Sequence, residues 1–545
     1  MTLKPFLSNI FTACRSFLSQ LNTLITAREK HIINIALLVW ILIVGVSALH
    51  HEMWRDEVRA LAMALDGDNF WGLFKTLRNE GHPILWYWIL RVSYWIWPTP
   101  AVLQVVSILI AYAAVMVFLK KAPFHIIVRL LFIYGVLPLV VYSVSARNYG
   151  ISMLLYFLFA DTFCKPQRNN LAIGIIIALL ANTNFFAMMF SGILLCIWAI
   201  EEYFKQKEFK VFFRRFTLPA ALALFGIALA LFTISMDANS SVAPPHELLA
   251  RDYLHPMLKS AQHPGRYFDQ LMAAGPKMRD FVIFALIAGL LVNPLYAGSL
   301  YLSIFIYNLF SATIMTPTAR HQGILFMLIV TLYWIVAMQN NKASKRYILF
   351  LAAIYLVFSP LFYHEITLAK LSITEDVSRE LSSSAAFGKY INTNRQLQDA
   401  VILGDPDYIL GPLIYYCKNR IYYVRENQYA TYERYVKVPK EEVTLRDLLE
   451  TGERIRDTEH VPVLILLQHW DIPKKENYTA IRPFGRNFRT NREEMLEFSA
   501  RTIKIAEFND AVADENFEVF LIPKSKEDWF SKYGDYQQRL AQPQP

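Results

Sequence analysis

One short segment, residues 54–59 (Trp-Arg-Asp-Glu-Val-Arg), holds two acids between two bases directly after an apolar run. A carboxylate of Asp56 or Glu57 could act as a general base that takes a proton from a hydroxyl group. The guanidinium groups of Arg55 and Arg59 could bind phosphate through forked hydrogen bonds. A structural alternative stays open, because acids in the first turn of a helix also offset its dipole, and arginines at a membrane edge contact lipid phosphate.

A histidine precedes a second candidate helix, in the sequence Glu80-Gly81-His82-Pro83. Proline suits the first position of a helix, so Pro83 would place His82 at a helix N-terminus, and that end of a helix attracts anions. A hydrogen-bonded cap is the alternative role for a single histidine in this position. Both interpretations of His82 stay open at the level of sequence.

Two short turns between apolar runs add further bases. Arg147 lies in 145–149 (Ser-Ala-Arg-Asn-Tyr), and Arg320 and His321 lie in 316–323 (Thr-Pro-Thr-Ala-Arg-His-Gln-Gly). A charge at the bilayer centre costs at least ~2.5–3.5 kcal/mol, so these groups must lie near water, reach the headgroups or pair with an anion. The phosphate of a lipid that enters sideways from the bilayer is one anion that matches the geometry of arginine.

The composition identifies the environment of these residues. Of the 545 residues, 55% are hydrophobic and only 18% are charged. Soluble domains contain about 45–50% apolar and about 25% charged residues, so a purely soluble protein is excluded, and a disordered one with it. The net charge of +9 is distributed over loops between apolar runs, which is typical of membrane proteins and argues against a nucleic-acid partner. The four cysteines show no metal-ligand spacing.

Apolar runs predict an α-helical polytopic membrane protein with about eleven transmembrane helices, since a span needs about 20 apolar residues. The predicted spans are 32–49, 101–119, 124–143, 150–164, 171–187, 188–204, 216–235, 280–293, 295–315, 322–338 and 347–363. The segment 83–98 is short and rich in Trp and Tyr, which belong at the headgroup level. We therefore interpret it as an interfacial helix.

The positive-inside rule supports that interpretation. With 83–98 outside the hydrocarbon core, every short basic loop falls on the same side as the basic N-terminus. We therefore expect a multi-pass protein of the inner (plasma) membrane, with a cytoplasmic N-terminus and a periplasmic C-terminal domain. The loops 50–100 and 236–279 and the two basic turns then lie on the periplasmic side.

Three regions follow from this pattern. Residues 1–30 predict an amphipathic helix on the cytoplasmic membrane face, residues 31–363 form the transmembrane module, and residues 364–545 predict a soluble α/β domain. The predicted elements of that domain are helix 371–391, strand 400–404, helix 407–417, strand 420–424, a helix after Thr444, and strands 461–467 and 517–522. The domain has no GxGxxG or Walker motif, so we expect it to cap or recognise a partner rather than perform chemistry.

Together these motifs resemble the GT-C glycosyltransferases, in particular the branch of the protein O-mannosyltransferases and the lipid A aminoarabinose transferase. The resemblance depends on the acidic pair after the first span and on 80–88, where His-Pro precedes the aromatic interfacial helix. The turns at 145–149 and 320–323 add weaker support. The resemblance implies that a polyprenyl-phosphate donor supplies a sugar to a glycan, lipid or protein acceptor on the outer side of the membrane.

The resemblance also implies roles for individual residues. Asp56 falls on the catalytic aspartate of the family, which acts as a general base, and Glu57 completes the Asp-Glu motif. Arg59 and His82 fall on basic residues that hold the donor phosphate. The further expected phosphate-binding residues are Arg147, Arg320 and His321, with Arg55, Glu80 and Tyr149 in support. The second acid that several members carry in the turn corresponding to 145–149 is missing from this sequence.

A single base without a carboxylate nucleophile favours direct displacement with inversion at the sugar. Metal dependence stays open, because Glu57 and His82 could join a divalent ion but their spacing matches no recognised metal motif. We assign no cofactor and no metal site. The alternative from another class is a transporter or flippase for a lipid-linked glycan or another phosphate-bearing lipid, which would use the same basic cluster without a base. A receptor whose soluble domain performs the function is a third interpretation.

Overall fold

A computed structural model describes residues 27–67, 69–206, 208–235, 240, 253–339, 345–468, 477–482 and 486–525. The amphipathic helix expected within residues 1–30 lies outside this part of the chain. Residues 236–239 and 241–252, in the long loop after the predicted span 216–235, also lie outside it.

The membrane part consists of helices packed around one extended apolar core. The helices are α1 Glu29–His50, α2 Arg55–Leu65, α3 Leu73–Thr76, α4 Leu85–Ile96, α5 Val102–Lys121, α6 Ile126–Ile133, α7 Tyr149–Phe163, α8 Asn170–Ala181, α9 Phe185–Gln206, α10 Phe209–Thr233, α11 Leu254–Gln262, α12 Pro276–Gly289, α13 Pro294–Thr313, α14 Ala319–Met338, α15 Tyr347–Ala352 and α16 Ser359–Ser378. Within the described residues, seven helical segments are long and apolar enough to cross a membrane, and two shorter apolar helices accompany them. The prediction of an α-helical polytopic membrane protein is confirmed.

Each predicted span coincides with one helix or with consecutive helical pieces. The span at 124–143 consists of α6 and a π-helical turn, Leu137–Val141. The span at 347–363 consists of α15, the π-helical segment Ala353–Phe358 and the start of α16. The segment 83–98 forms α4, whose 12 residues are too few to cross the hydrocarbon core.

The predicted boundary between the spans 171–187 and 188–204 lies several residues too far towards the C-terminus. The structure ends α8 and begins α9 on either side of the sequence Asn-Thr-Asn at 182–184. Asn184 caps α9, because its Oδ1 accepts the backbone N–H of Ala187 at 2.9 Å. Asn182 donates to backbone oxygens of α8 and α10, at 2.8 Å each. These side-chain hydrogen bonds end the helix although the apolar pattern continues on both sides.

The soluble part is an α/β domain that follows α16. Its elements are α17 Ser383–Thr393, β1 Val401–Asp405, α18 Leu413–Tyr416, β2 Tyr422–Tyr423, β3 Gln428–Tyr429, β4 Glu442–Thr444, α19 Leu445–Glu459, β5 Val463–Leu467, β6 Asn477–Ala480, β7 Asn487–Asn491, α20 Arg492–Arg501, β8 Ile503–Phe508 and β9 Phe517–Ile522. The main sheet has the strand order β1-β5-β9-β8, with β1 parallel to β5 and β9 antiparallel to both of its neighbours. A smaller sheet has the order β4-β7-β6, and β2 pairs with β3.

The long apolar strands of this domain were predictable, and the short polar ones were not. The predicted strands 400–404, 461–467 and 517–522 correspond to β1, β5 and β9. The predicted strand 420–424 is reduced to the two residues of β2. The predicted helix 371–391 is interrupted between α16 and α17. β4, β6 and β7 carry polar side chains, and their pairing depends on segments distant in the sequence.

The predicted helix 407–417 is also corrected by the structure. It is replaced by a 3₁₀ turn, Asp407–Ile409, and the single turn of α18. Pro412 lies directly before α18, where it cannot continue a helix from the preceding residues. The result is a compact loop at the end of β1 that faces the membrane part of the protein.

Candidate active site

The first turn of α2 carries Asp56, which lies between two arginines from distant parts of the chain. Arg320 Nη2 is 2.9 Å from Asp56 Oδ2, and Arg147 Nη1 is 3.4 Å from the same oxygen. Arg147 precedes α7, and Arg320 belongs to the first turn of α14. The structure therefore brings together predicted residues from three separate loops of the chain, all on one face of the helical part.

Two guanidinium groups share one carboxylate at this point, so one positive charge is in excess. Burial opposes ionisation of Asp56, but the charges of Arg147, Arg320 and Arg55 outweigh it and hold the pKa of this carboxyl below its usual range. Arg320 Nε is buried and has no hydrogen-bond partner in the described part of the chain. A singly charged anion such as a phosphodiester would neutralise the excess charge and accept the bond that Nε lacks.

His82 lies beside Arg147, with 3.4 Å between His82 Nε2 and Arg147 Nη2. Burial and the neighbouring Arg147 charge lower the pKa of His82 to about 4. The ring is therefore uncharged at neutral pH and can offer a hydrogen bond to a phosphate but no positive charge. The expected helix start is also corrected, because α4 begins at Leu85 and Pro83 precedes it.

Glu57 points away from Asp56 and is completely buried. Its Oε1 accepts the backbone N–H of Ala146 at 2.5 Å, and its Oε2 lies 3.1 Å from His51 Nε2. Burial opposes protonation of His51, but Glu57 and Asp376 outweigh it and raise the pKa of the imidazole to about 10. Glu57 thus forms a buried ion pair that holds the Arg147 turn against α2. These contacts favour a positioning role for Glu57, and the catalytic role expected from the sequence stays a prediction.

Arg59 is already paired, through two bonds to the carboxylate of Glu80. Arg59 Nη2 lies 2.6 Å from Glu80 Oε2, and Arg59 Nε lies 3.1 Å from Oε1. The guanidinium also donates to the backbone oxygen of Glu433 and lies 3.9 Å from the ring centroid of Tyr435. Its charge is therefore neutralised within the protein. Arg59 forms part of the cavity wall, beside the excess positive charge of the arginines that contact Asp56.

His321 and Tyr149 lie behind Arg320, in the packed interior. The backbone N–H of Thr318 donates to His321 Nδ1 at 3.1 Å, which leaves the N–H of the neutral ring on Nε2. Nε2 lies 2.9 Å from the hydroxyl oxygen of Tyr149. His321 therefore caps α14 and links it to α7, which orients the helix turn that carries Arg320.

The soluble domain supplies the opposite wall of a cavity of about 410 Å³. From the helical part, Arg55, Asp56, Arg59 and Arg320 line it. From the soluble domain, the lining residues include Asp407, Tyr408, Gly411, Glu433, Arg482 and Arg486. Sequence reasoning missed this second wall. A signal for part of it exists in the sequence, because Asp405 ends a buried strand and Asp407 follows shortly after it.

A buried ionic network supports the soluble-domain wall. Arg425 lies 2.7 Å from Asp405 and 3.1 Å from Asp407. Each carboxylate also pairs with a second arginine, Asp405 with Arg482 at 2.7 Å and Asp407 with Arg486 at 2.6 Å. Burial raises the pKa of Asp407 to about 6 although Arg425 opposes it. The loop after β1 is thereby held rigidly over the cavity.

The soluble domain is also attached directly to the start of α2. Glu515 Oε1 accepts the backbone N–H of Arg55 at 2.9 Å, and the Arg55 guanidinium lies 2.9 Å from Asp514. The hydroxyl of Ser382 donates to the second oxygen of Glu515. Burial raises the pKa of Glu515 to about 7. The soluble domain therefore contacts the residue next to Asp56 in the chain.

No cluster of three or more metal-ligating side chains occurs in the residues that the structure describes. Glu57 and His82, the two residues considered for a divalent ion, have different partners. Glu57 binds His51 and the backbone of Ala146, whereas His82 lies against Arg147. The geometry assigns no metal to these two residues.

The overall arrangement can be compared with solved structures. The chain is similar to ArnT from Cupriavidus metallidurans. Its crystal structure bound to undecaprenyl phosphate has a TM-score of 0.42 and 12% sequence identity, over 84% of this chain and 96% of that chain. The apo structure of the same protein has a TM-score of 0.40 and 12% identity, over 84% and 97% of the two chains.

No family model and no curated protein matches the sequence. ArnT is of the group that the sequence motifs resemble.

Proposed function

We propose that this protein is a membrane glycosyltransferase that moves a sugar from a polyprenyl-phosphate donor to an acceptor on the periplasmic side of the inner membrane. The observation that carries the proposal is the position of Asp56, an ionised carboxylate between Arg147 and Arg320 in a cavity at the membrane edge. Such a transfer needs a base and phosphate-binding groups beside it. Asp56 and Arg320 line this cavity, and Arg147 lines a smaller pocket that shares Asp56 with it.

The donor phosphodiester carries one negative charge, which equals the excess at the Asp56 cluster. We infer that its phosphate takes Arg147 and Arg320 as partners, and that neutral His82 adds a hydrogen bond. The arginines then stabilise the charge that develops on the phosphate as the sugar leaves.

Binding of the phosphate also changes Asp56. In the absence of an anion, both arginines lower the basicity of its carboxylate. When they turn to the phosphate, the carboxylate loses part of this stabilisation, and its pKa rises towards that of a useful base. Asp56 then takes the proton of the acceptor hydroxyl, whose oxygen bonds to the sugar carbon while the bond from that carbon to the phosphate oxygen breaks. The product is inverted at that carbon, and the carrier leaves as a phosphate monoester.

The alternative, a transporter or flippase for a phosphate-bearing lipid, would use the same arginines but would leave the sugar–phosphate bond intact. Mass spectrometry of lipids that co-purify with the protein distinguishes the two. We expect a polyprenyl-phosphate sugar on the purified protein and its conversion to polyprenyl phosphate when an acceptor fraction is added. Release of the intact glycolipid without cleavage would favour transport, and absence of any polyprenyl phosphate lipid would contradict both.

A further inference from the structure

We propose that the soluble-domain wall of the cavity holds the sugar of the donor, an uncharged sugar of monosaccharide size, and that Gly411 provides the space for it. The inference depends on the proposed function and adds the substrate class. The soluble domain, for which the sequence predicted no chemical role, then determines which sugar is accepted. It makes Gly411, which has no side chain of its own, the residue at which sugar size can be tested.

The direction of the donor follows from its covalent structure. A polyprenyl-phosphate sugar has its lipid chain on one ester oxygen of the phosphate and its sugar on another. With the chain in the hydrocarbon and the phosphate at Arg147 and Arg320, the sugar has to extend away from the membrane. The soluble-domain wall, including Asp407, Tyr408 and Gly411, lies across the same cavity as Arg320 and Asp56.

The charges of the two walls differ. At the membrane edge, Arg147 and Arg320 share the single carboxylate of Asp56. In the soluble-domain wall and directly behind it, three guanidiniums are matched by three carboxylates. Arg482, Arg486, Asp407 and Glu433 line the cavity, and Arg425 and Asp405 belong to the buried network behind them. The first wall attracts an anion, whereas the second has no surplus charge. Paired ions at a cavity surface still offer hydrogen-bond donors and acceptors, which are the groups that bind the hydroxyls of an uncharged sugar.

The cavity is small enough to make its size selective. Its volume of about 410 Å³ lies at the lower end of the ~300–1,000 Å³ of small-ligand sites. Tyr408 and Tyr435 line it, each with a guanidinium against its ring, Arg55 at 4.4 Å and Arg59 at 3.9 Å from the respective centroid, and this stacking narrows the cavity further. Such a cavity suits one sugar ring beside a phosphate rather than a long glycan.

Gly411 offers a way to reduce this space without disturbing the fold. A Cβ built at Gly411 meets one neighbour within 4 Å, the backbone oxygen of Tyr408 at 3.7 Å, which is an ordinary contact distance. The backbone of Gly411 is not in the left-handed region. A side chain at this position therefore occupies the cavity rather than the packed interior.

The test compares two lipids, undecaprenyl phosphate and its glucosyl diester, for binding to the full-length protein in nanodiscs. We expect Gly411→Leu to weaken binding of the glucosyl lipid at least tenfold and to leave binding of undecaprenyl phosphate within about twofold. Gly411→Ala, which adds one methyl group, should give a smaller effect in the same direction. Gly298→Leu is the matched control, because Gly298 is exposed on a membrane helix with nothing within 4 Å of its Cβ, and it should change neither affinity.

Equal losses for both lipids, or no loss for either in Gly411→Leu and Gly411→Ala, would overturn the assignment of the sugar to this wall. A wild-type protein that binds undecaprenyl phosphate but discriminates against the glucosyl lipid would overturn it as well. Failure of the wild-type protein to bind undecaprenyl phosphate is a different outcome, since it contradicts the proposed function itself.

Discussion

Asp56 contacts two arginines, Arg147 and Arg320, which share its single negative charge. Two other basic residues expected to hold the phosphate, Arg59 and His82, carry no uncompensated charge. Arg59 is neutralised by Glu80, and His82 is uncharged because of burial beside Arg147. At the scale of single residues, the charges that can respond to a ligand are therefore those of Asp56, Arg147 and Arg320. Residue type and spacing indicated all three, but the sequence contained no information on which arginine was already paired.

Asp56→Asn should lower the rate of sugar transfer about 10²–10⁴-fold, because the amide cannot accept the proton of the acceptor. The same change should strengthen binding of undecaprenyl phosphate roughly tenfold, since Arg147 and Arg320 lose the carboxylate that competes with the phosphate. Single-turnover transfer and lipid-binding measurements on the purified protein in nanodiscs check the two effects separately.

Asp510→Asn is the matched control for this experiment. Asp510 is an exposed aspartate of the soluble domain that does not line the cavity. The control should leave both transfer and lipid binding unchanged. If Asp56→Asn transferred sugar at the wild-type rate, Asp56 would not be the base. A stable Asp56→Asn protein with weakened phosphate binding would exclude the competition between carboxylate and phosphate.

The elements that carry the site are held together by buried polar contacts rather than by apolar packing alone. Glu57 connects the start of α2 to the turn before α7 through the backbone N–H of Ala146. His321 connects the start of α14 to α7 through Tyr149. At the scale of helices, these two links determine where Arg147 and Arg320 stand relative to Asp56.

Glu57→Gln tests the first of these links. The substitution leaves protonated His51 buried with less negative charge around it, and the free energy of unfolding should fall by about 3–5 kcal/mol. Thermal unfolding in detergent at pH 7 measures this effect. The double variant His51→Gln/Glu57→Gln, which removes both members of the pair, should recover part of the loss.

A purely catalytic role for Glu57 predicts a different result. In that case Glu57→Gln would abolish transfer without lowering the unfolding temperature, and the double variant would restore no stability. The fully buried carboxylate and its contact with Ala146 favour the positioning role.

At the scale of the whole molecule, the cavity exists because the soluble domain closes over the helical part. Glu515 binds the backbone of Arg55 and also accepts a hydrogen bond from Ser382, while Glu52 accepts the backbone N–H of Ser382 at 2.8 Å. Tyr416 adds a bond from its hydroxyl to the backbone oxygen of Met53 at 3.0 Å. The docking contacts thus concentrate around the segment that carries Asp56.

Glu515→Gln tests this contact through its pH dependence. The pKa of Glu515 is raised from 4.5 to about 7 by burial, so its stabilising contribution is complete below pH 4.5 and is lost as the pH rises through 7. The glutamine variant keeps the acceptor for Arg55 but carries no charge. We therefore expect it to match the wild type at pH 5 and to exceed its stability at pH 8.5, by at most roughly 3 kcal/mol.

Unfolding temperatures measured at the two pH values check this expectation. A difference between Glu515→Gln and the wild type that is the same at pH 5 and pH 8.5 would show that ionisation of Glu515 does not affect docking. Asp510→Asn again serves as the control, since that side chain is exposed and should show no pH-dependent difference.

The sequence by itself determined the membrane helices and the apolar strands, because hydropathy and strand periodicity are properties of neighbouring residues. It also indicated the candidate residues, since ionisable groups in short turns between membrane spans must lie near water or pair with an opposite charge. Only the tertiary structure decided their pairing. Asp56 and Arg320 are 264 positions apart, and Arg55 and Glu515 are 460 positions apart. Contacts over such separations depend on how the helices and the soluble domain pack, and they set the charge of each group and the second wall of the cavity.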